Sequence, residues 1–191
     1  RVSRDAALAA GNIPLLPHEH EQVVAMCAAV KGDDTAGPLF TGHKPEVSVF
    51  ADLYGQPCKA RIDAWHEDDG TGRPLIVDLK TTQDANPETF ARTALKYGYE
   101  QQQAHYCDLM EAETGKRPRF LFVLVEKAAP YLVSVVELDE LLDELGCQAN
   151  VAAAAKWAHA KETNQWPGYQ GINRVLAPMW ALDELEEEIT V

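Results

Sequence analysis

The stretch Leu75-Ile76-Val77-Asp78-Leu79-Lys80-Thr81-Thr82 is a short apolar run that ends with a carboxylate and an ammonium two residues apart. In a strand, residues i and i+2 point to the same face and lie about 7 Å apart along the chain. The run therefore predicts a strand that directs Asp78 and Lys80 to one side. Taken alone, such a pair is typical of a surface ion pair at a strand end, so its meaning depends on its neighbours.

A second strand is predicted upstream, over residues 59–65, where Ala and Ile alternate with polar residues that include Asp63. Residues 66–74 between the two strands are rich in turn formers and predict a hairpin. The hairpin would bring Asp63 beside Asp78. Two carboxylates and the lysine Lys80 would then share one patch, which suits a Mg²⁺ ion acting on a phosphodiester.

The 191 residues, 46% of them hydrophobic, are enough for one substantial core, so the simplest prediction is a single domain over 1–191. No apolar run approaches the length of a membrane span and no signal-peptide pattern is present, which favours a soluble cytoplasmic protein with no membrane contact. The four cysteines contain no CxxC pair and indicate buried free thiols rather than a zinc site. The chain begins with Arg1 rather than Met, which suggests a further N-terminal segment in the natural protein.

The formal charge of −13 argues against nucleic-acid binding at long range. The acidic residues are unevenly placed, however, and many of them lie in two segments, 137–144 and 183–188. Basic residues lie near the motif instead, and a local basic groove with a divalent ion can hold phosphates. The candidate DNA-binding residues are Lys59, Arg61, Arg92 and Lys96.

Hydrophobic periodicity and turn formers predict the order of the remaining elements. They are an irregular lead-in over 1–17, a helix over 18–30, a strand over 46–53 that joins the two strands above in a three-stranded antiparallel meander, a helix from Pro87 to about Thr114, strands over 120–125 and 131–136, a helix over 138–161, and a tail over 164–191 that wraps the core and contains an acidic helix over 183–188. This order predicts an α/β fold with a mixed central sheet flanked by helices.

Three further polar positions are candidates for the same patch. Gln102 and Tyr106 are four residues apart on the long helix, so their polar tips lie one turn apart and need hydrogen-bond partners. These partners are either backbone groups and water or members of the site. Glu46 opens the first strand, and the meander carries it toward Asp63. The alternative is that Glu46 is simply an exposed residue at the end of a strand.

These pieces, in this order, resemble the PD-(D/E)XK (restriction-endonuclease-like) superfamily of nucleases, and more narrowly the exonuclease VIII (RecE-type) family of phage and prophage recombination exonucleases. The resemblance covers about residues 20–182. The matching pieces are Glu46-Val-Ser-Val-Phe50, Arg61-Ile-Asp63, Val77-Asp-Leu-Lys-Thr-Thr82, Lys96-Tyr-Gly-Tyr99, Gln102-x-x-Ala-x-Tyr106-x-Asp108, Gln165-Trp-Pro167 and Pro178-x-Trp180.

The resemblance implies a role for each matched position. Asp63, Asp78 and the carbonyl of Leu79 match the metal ligands of the family, and Glu46 matches a glutamate close to the metal. Lys80 matches the lysine that orients the attacking water or stabilises the charged phosphorane. In the same way, Gln102 and Tyr106 match the pair that steadies the lysine and the scissile phosphate.

The resemblance also implies an activity and a departure from the family pattern. The activity is Mg²⁺-dependent digestion of linear double-stranded DNA from 5′ to 3′, with Mn²⁺ as an alternative ion, by a ring-like homo-oligomer that works with a single-strand annealing protein. The departure concerns a metal-binding histidine that the family carries upstream of the meander. His18, His20 and His43 do not fit the family pattern at that position. Either a further N-terminal segment supplies it or the chain binds metal more weakly.

Three rival hypotheses remain at this stage. A DNA-binding or assembly module could keep the nuclease fold without cutting. A different nuclease of the superfamily could act on single strands or junctions. An ordinary α/β protein could carry the charged strand end incidentally.

Overall fold

The computed structural model describes residues 4–176 of the chain. Its helices and strands, in chain order, are α1 (Arg4–Ala9), α2 (Pro17–Gly32), α3 (Ala36–Leu39), β1 (Lys44–Leu53), β2 (Gln56–His66), β3 (Leu75–Thr82), α4 (Pro87–Tyr97), α5 (Tyr99–Thr114), β4 (Arg119–Glu126), β5 (Val133–Val136) and α6 (Glu140–Thr163). Between residues 4 and 176, none of these helices has the length and apolar character needed to cross a membrane.

The five strands form one mixed sheet in the order β1-β2-β3-β4-β5. The first three strands are an antiparallel meander, β3 and β4 are parallel, and β4 and β5 are antiparallel. The parallel pair requires a long crossover, which α4 and α5 provide. The predicted α/β class, with a mixed sheet flanked by helices, is confirmed.

Alternate residues of the central strands pack into two hydrophobic clusters. Ile76, Phe120 and Phe122 belong to the cluster that includes buried residues of α4 and α5. Val77 and Val123 belong to the other cluster, which includes buried residues of α2 and α3. Because β4 is covered on both faces, its residues 120–125 form the nearly continuous apolar run seen in the sequence.

The hairpin of β1 and β2 extends beyond the rest of the sheet. β2 pairs with β1 along almost its whole length, but it pairs with β3 only through Ala64, Trp65 and His66. One face of the extended part, including Val49 and Ile62, packs in the cluster shared with α5. The opposite face is exposed to solvent.

The predicted helix from Pro87 to Thr114 is wrong in one respect, because the chain breaks it at Gly98. This glycine has a left-handed backbone (φ 71°), and its N–H donates to the carbonyl of Ala94, which ends α4. Glycine adopts this conformation without a steric penalty. The start of α4 is as predicted, with Asn86 as its N-cap and Pro87 in the first turn.

The irregular lead-in over 1–17 is also wrong in part, since Arg4–Ala9 forms α1. This segment is rich in alanine, the strongest helix former, and has no buried residue, so no hydrophobic periodicity reveals it. The other predicted helices and strands are confirmed, with ends that shift by a few residues.

The chain divides after Ala155, within α6, into two compact units. The single domain over 1–191 stays a prediction. Residues 165–176 form no helix or strand and are exposed, so the wrapping role of the tail also stays a prediction. The predicted acidic helix over 183–188 lies outside the described residues.

Candidate active site

The end of β3 directs Asp78 and Lys80 to the same side of the sheet. The side chain of Asp78 is only 5% exposed and that of Lys80 is 20% exposed, and the Lys80 Nζ lies 2.5 Å from the Asp78 Oδ2. Within residues 4–176, the buried Asp78 Oδ2 therefore has the Lys80 ammonium as its close partner.

Asp63 lies beside this pair, at the point where β2 and β3 separate. Their pairing ends at Ala64 and Val77, the residues adjacent to Asp63 and Asp78. Beyond that point, the Asp63 Oδ2 accepts a hydrogen bond from the backbone N–H of Leu79 at 3.0 Å. The structure thus brings the two carboxylates together at the open end of the β2–β3 ladder.

The alternation of β2 is interrupted at Asp63, and this interruption sets the direction of its side chain. Strict alternation would place Ile62 and Ala64 on the same face, yet they belong to opposite hydrophobic clusters. The facing residue of β1, Glu46, is also missing from the ladder and has a left-handed backbone (φ 54°). Local disruptions of this kind re-aim side chains and are frequent next to active sites.

Gln102 of α5 joins the carboxylate and the ammonium. Its Nε2 donates to the Asp78 Oδ1 at 2.5 Å, and its Oε1 accepts from the Lys80 Nζ at 2.8 Å. The amide orientation is therefore fixed, because the reverse orientation would set its oxygen against a carboxylate. Gln102 holds the spacing between Asp78 and Lys80.

Aromatic rings cover Lys80 from the other side. Its Nζ lies 4.9 Å from the ring centroid of Tyr99 and 6.0 Å from that of Phe122. A cation over an aromatic face is attracted by the ring quadrupole, more strongly where water is excluded. Tyr99 lies three residues before Gln102 and shares its helix face, as the helical period predicts, but no role was predicted for it from the sequence.

The electrostatics of this cluster reflect crowded negative charge. Burial raises the pKa of Asp78, and the nearby charge of Asp63 raises it further, while Lys80 and Gln102 lower it. Burial also raises the pKa of Tyr106, and the charges of Asp78 and Asp63 add to this effect. Tyr106 is thus placed close to both carboxylates, in a site that favours a bound cation.

The sequence profile of one protein family, described as a PDDEXK-like domain of unknown function (DUF3799), matches residues 8–176. The chain belongs to this family. The family confirms the predicted PD-(D/E)XK superfamily and core, while the narrower resemblance to exonuclease VIII stays a prediction.

The PDDEXK-like domain is also similar to solved structures. A crystal structure from Eubacterium rectale, described as a "putative exonuclease", aligns with a TM-score of 0.67 at 19% identity over 88% of this chain. This chain spans 66% of that protein's length, and the similarity shows a shared fold. A second crystal structure, of SSO0001, aligns with a TM-score of 0.38 at 14% identity, over 78% of this chain and 62% of that protein. No curated protein matches the chain.

The remaining predicted site residues of the PDDEXK-like domain lie on exposed surface. Glu46 forms an ion pair with Arg61, in which the Oε2 and Nε atoms are 2.8 Å apart. Lys59 lies on the same exposed face of the hairpin. Arg92 and Lys96 are exposed on α4, so the four predicted DNA-binding residues come from two separate elements.

The donor set of the PDDEXK-like domain fits a hard divalent ion. Asp63 and Asp78 supply carboxylate oxygens, and the Lys80 ammonium lies beside them. Mg²⁺ keeps several waters and is commonly bound through one or two carboxylates. Among residues 4–176, however, no group of three or more His, Cys, Asp or Glu is placed to hold a metal ion.

The histidines of the PDDEXK-like domain do not complete this donor set. His18 and His20 are exposed in the first turn of α2. His43 lines a cavity of about 550 Å³ that Leu79 also lines, and its Nδ1 is buried without a hydrogen-bond partner among the described residues. The cavity is otherwise lined mainly by apolar residues of α2 and the sheet.

Proposed function

We propose that this PDDEXK-like domain is a metal-dependent deoxyribonuclease. The observation that carries the proposal is that Asp63 and Asp78 lie side by side, while among residues 4–176 only Asp78 has an ion-pair partner, Lys80. The charge of Asp63 raises the pKa of Asp78, so a bound cation would relieve the repulsion between the two carboxylates. Such a cation, held next to a lysine, is the arrangement that phosphodiester hydrolysis needs.

The ion we propose is Mg²⁺, with Mn²⁺ as an alternative, held by Asp63, Asp78 and the carbonyl of Leu79. When bound, it lowers the pKa of a water molecule and offsets charge on the phosphoryl oxygens. Lys80 supplies further positive charge where the anion develops. Gln102 keeps the Lys80 Nζ at its position, because it is hydrogen-bonded to both Lys80 and Asp78.

We further propose that the substrate is the end of linear double-stranded DNA, which the enzyme digests from 5′ to 3′ in phage-type homologous recombination. The resemblance to exonuclease VIII supports this mode of action, as does the description of the Eubacterium rectale protein as a putative exonuclease. The same resemblance favours a ring-like homo-oligomer and a single-strand annealing protein as a partner.

The decisive experiment compares DNA substrates in the presence of Mg²⁺. Linear duplexes with either the 5′ or the 3′ ends blocked are incubated with the protein, alongside nicked circles and single strands. We expect digestion of the linear duplex, loss of digestion when the 5′ ends are blocked, and no activity in EDTA. Digestion of single strands alone would instead identify a different nuclease of the superfamily.

A second candidate function is a DNA-binding or assembly module that does not cut. It is favoured by the absence, within residues 4–176, of a third His, Cys, Asp or Glu placed beside Asp63 and Asp78 to hold a metal ion. The Asp78→Asn variant separates the two functions. A nuclease loses turnover in this variant, whereas a binding module shows no turnover in either form and keeps its affinity for DNA.

A further inference from the structure

Helix α4 ends at an exposed tyrosine, Tyr97, that the proposed chemistry does not use. This residue is 62% exposed. Its ring stacks on that of Tyr99, with the two centroids 5.8 Å apart. Tyr99 in turn stacks on Phe90 and Phe122, which are buried in the core. Tyr97 is therefore the solvent-exposed end of an aromatic cluster that begins in the core.

The aromatic cluster places Tyr97 next to the candidate active site. Tyr99 packs on the sheet face that carries α4 and α5, and Lys80 is directed to the same face. The Lys80 Nζ lies 4.9 Å from the ring centroid of Tyr99, which lies 5.8 Å from that of Tyr97. These two distances together span about three nucleotides of one strand, which rises about 3.4 Å per nucleotide in B-DNA. A strand with a phosphate at Lys80 can therefore reach Tyr97.

Two cations accompany Tyr97 on α4. Arg92 and Lys96 are one helical turn apart, so they lie on one face of the helix. Both are exposed, and neither forms an ion pair within the part of the chain that the structure describes. The Lys96 Nζ lies 5.3 Å from the ring centroid of Tyr97. Both cations are therefore available to an anionic ligand.

The charge along this part of the chain is positive. No acidic residue occurs between Glu88 and Glu100. Glu88 lies in the first turn of α4, at the opposite end from Tyr97, and Glu100 is buried. In a chain with a formal charge of −13, the end of α4 is a local exception.

A purely structural role explains only part of this arrangement. A cation in the last turn of a helix is stabilised by the helix dipole, which accounts for Lys96 but not for Arg92 in the middle of α4. The exposed ring of Tyr97 buries little apolar surface. Surfaces that bind nucleic-acid strands combine such rings, which stack on bases, with cations that contact phosphates.

We propose that Tyr97 stacks on a base of the DNA strand that is cut, within about three nucleotides of the cleaved bond, while Lys96 and Arg92 contact the adjoining phosphates. This inference rests on the proposed nuclease function and adds to it the element that holds the substrate. The faces of an internal base pair are covered by its neighbours, so the stacked base is a terminal or an unpaired one. Stacking is indifferent to base identity, and the contact does not select a sequence.

The test measures the binding of a DNA hairpin that has one blunt end and a fluorescein in its loop, by anisotropy in EDTA so that no cutting occurs. We expect Tyr97→Ala to weaken binding about 5- to 150-fold, which corresponds to about 1–3 kcal/mol for one stacked base. Tyr97→Trp keeps a stacking ring and should retain the affinity. The matched control is Leu95→Ala, which removes an exposed apolar side chain about 200° around the same helix and should bind as the wild type does.

A set of hairpins with one abasic nucleotide, placed in turn at each of the last few positions of either strand, tests the stacking directly. One of these hairpins should bind the wild type more weakly by the factor seen for Tyr97→Ala. The Tyr97→Ala variant should bind that hairpin as it binds the intact one, because the ring and its base form a single contact. If the two losses add at every position, Tyr97 does not stack on a base and the inference is overturned.

The salt dependence of binding tests the phosphate contacts. Lys96→Gln should reduce the slope of log affinity against log salt by about 0.9, the value for one phosphate contact on B-DNA. The matched control is Lys116→Gln, an exposed lysine beyond the C-terminal end of α5, which should leave the slope unchanged. Tyr97→Ala removes no charge and should also leave it unchanged. An unaltered slope in Lys96→Gln would overturn the phosphate contact.

The possible failures are distinguishable. If the wild type binds too weakly in EDTA, the same variants are compared with Mg²⁺ in a cutting assay, where Tyr97→Ala should raise KM by the same factor. If Tyr97→Ala does not fold, as judged by circular dichroism, Tyr97→Leu replaces it, because it keeps an apolar side chain but removes the ring.

Wild-type affinity and KM in the Tyr97 variants, in a protein that cuts DNA, would overturn the inference and leave the proposed function standing. A smaller oligomer in Tyr97→Ala with unchanged affinity would identify a second copy as the partner of Tyr97 and also overturn it. A wild type that neither binds nor cuts DNA overturns both proposals.

Discussion

Helix α5 contributes to two charged clusters that differ in how far their polar atoms are satisfied. The arginine cluster is centred on Arg117, whose Nη1 lies 2.5 Å from Asp108 and whose Nη2 lies 2.6 Å from Asp143. Glu111 lies 3.3 Å from Nη1, and the Tyr54 hydroxyl donates to the remaining oxygen of Asp108. Every charge in this cluster therefore has a direct partner.

The site cluster, made of Asp63, Asp78, Lys80 and Gln102, is arranged differently. It holds two carboxylates and one ammonium, and within the described residues Asp63 accepts a hydrogen bond from the Leu79 N–H but forms no ion pair. In the arginine cluster, burial lowers the pKa of Arg117, but the hydrogen bonds to Asp108 and Asp143 outweigh this effect and raise the pKa overall. In the site cluster, burial raises the pKa of Asp78 despite Lys80.

The comparison indicates how structural and functional charge can be told apart. A buried charge with complete partners holds elements together, and removing one partner destabilises the fold. An incompletely paired buried charge lowers stability, and proteins keep such groups where a ligand or a reaction uses them. The predictions below test this distinction, from the largest expected effect to the smallest.

Lys80→Ala should abolish the proposed DNA cutting and leave folding nearly intact. Removing one group that stabilises charge in a transition state typically lowers kcat about 100- to 1000-fold. The measurement is release of acid-soluble nucleotides from linear duplex, together with a thermal melt. The control is Lys127→Ala, an exposed lysine at the end of β4. A Lys80→Ala variant that cuts at the wild-type rate would rule out the assigned role.

Arg117→Met should have the opposite effect, lowering stability and leaving the activity per folded molecule unchanged. We expect a loss of about 2–3 kcal/mol in urea unfolding, less than for a fully buried pair because Arg117 is partly exposed. The matched control is Arg119→Met, whose pair with Glu137 is more exposed and should matter by about 1 kcal/mol or less. Equal losses in both variants would contradict the structural role of the arginine cluster.

Tyr99→Leu should lower kcat about 5- to 30-fold without raising KM, because the ring that holds Lys80 contributes about 1–2 kcal/mol. Tyr99→Phe keeps the ring and should retain the activity. Steady-state kinetics on a labelled duplex separate the two parameters. If the Phe variant loses as much activity as the Leu variant, the hydroxyl rather than the ring matters.

Cys107, buried close to the arginine cluster, should make stability fall at alkaline pH. Burial raises the pKa of its thiol to about 12, so the folded state binds its proton more tightly than the unfolded state. Its stabilising contribution is present below about pH 9 and is lost as the pH rises toward 12, by at most about 1.4 kcal/mol per pH unit. Urea melts at about pH 8 and about pH 10 should show a smaller decrease for Cys107→Ala than for the exposed control Cys27→Ala. An identical decrease in both variants would show that Cys107 is not the source.

Much of the fold could be read from local patterns. The alternation of residues 46–53 and 59–65, the apolar runs of β3 and β4, and the cap at Asn86 each predicted an element that the structure contains. Gly98 was missed because a single glycine within a helical pattern is usually tolerated, and only its left-handed backbone shows that it ends α4. The helix α1 was missed because it has no buried face to produce a periodic signal.

The sequence by itself determined which residues are adjacent in a strand or one turn apart in a helix, because the periods of 2.0 and 3.6 residues are local properties of the backbone. It therefore placed Asp78 beside Lys80 and Gln102 one turn before Tyr106. Only the tertiary structure decided which of these groups meet across elements. The break in β2 at Asp63, the bridge from Gln102 to Asp78 and the position of Asp63 beside β3 depend on long-range packing, which no local period encodes.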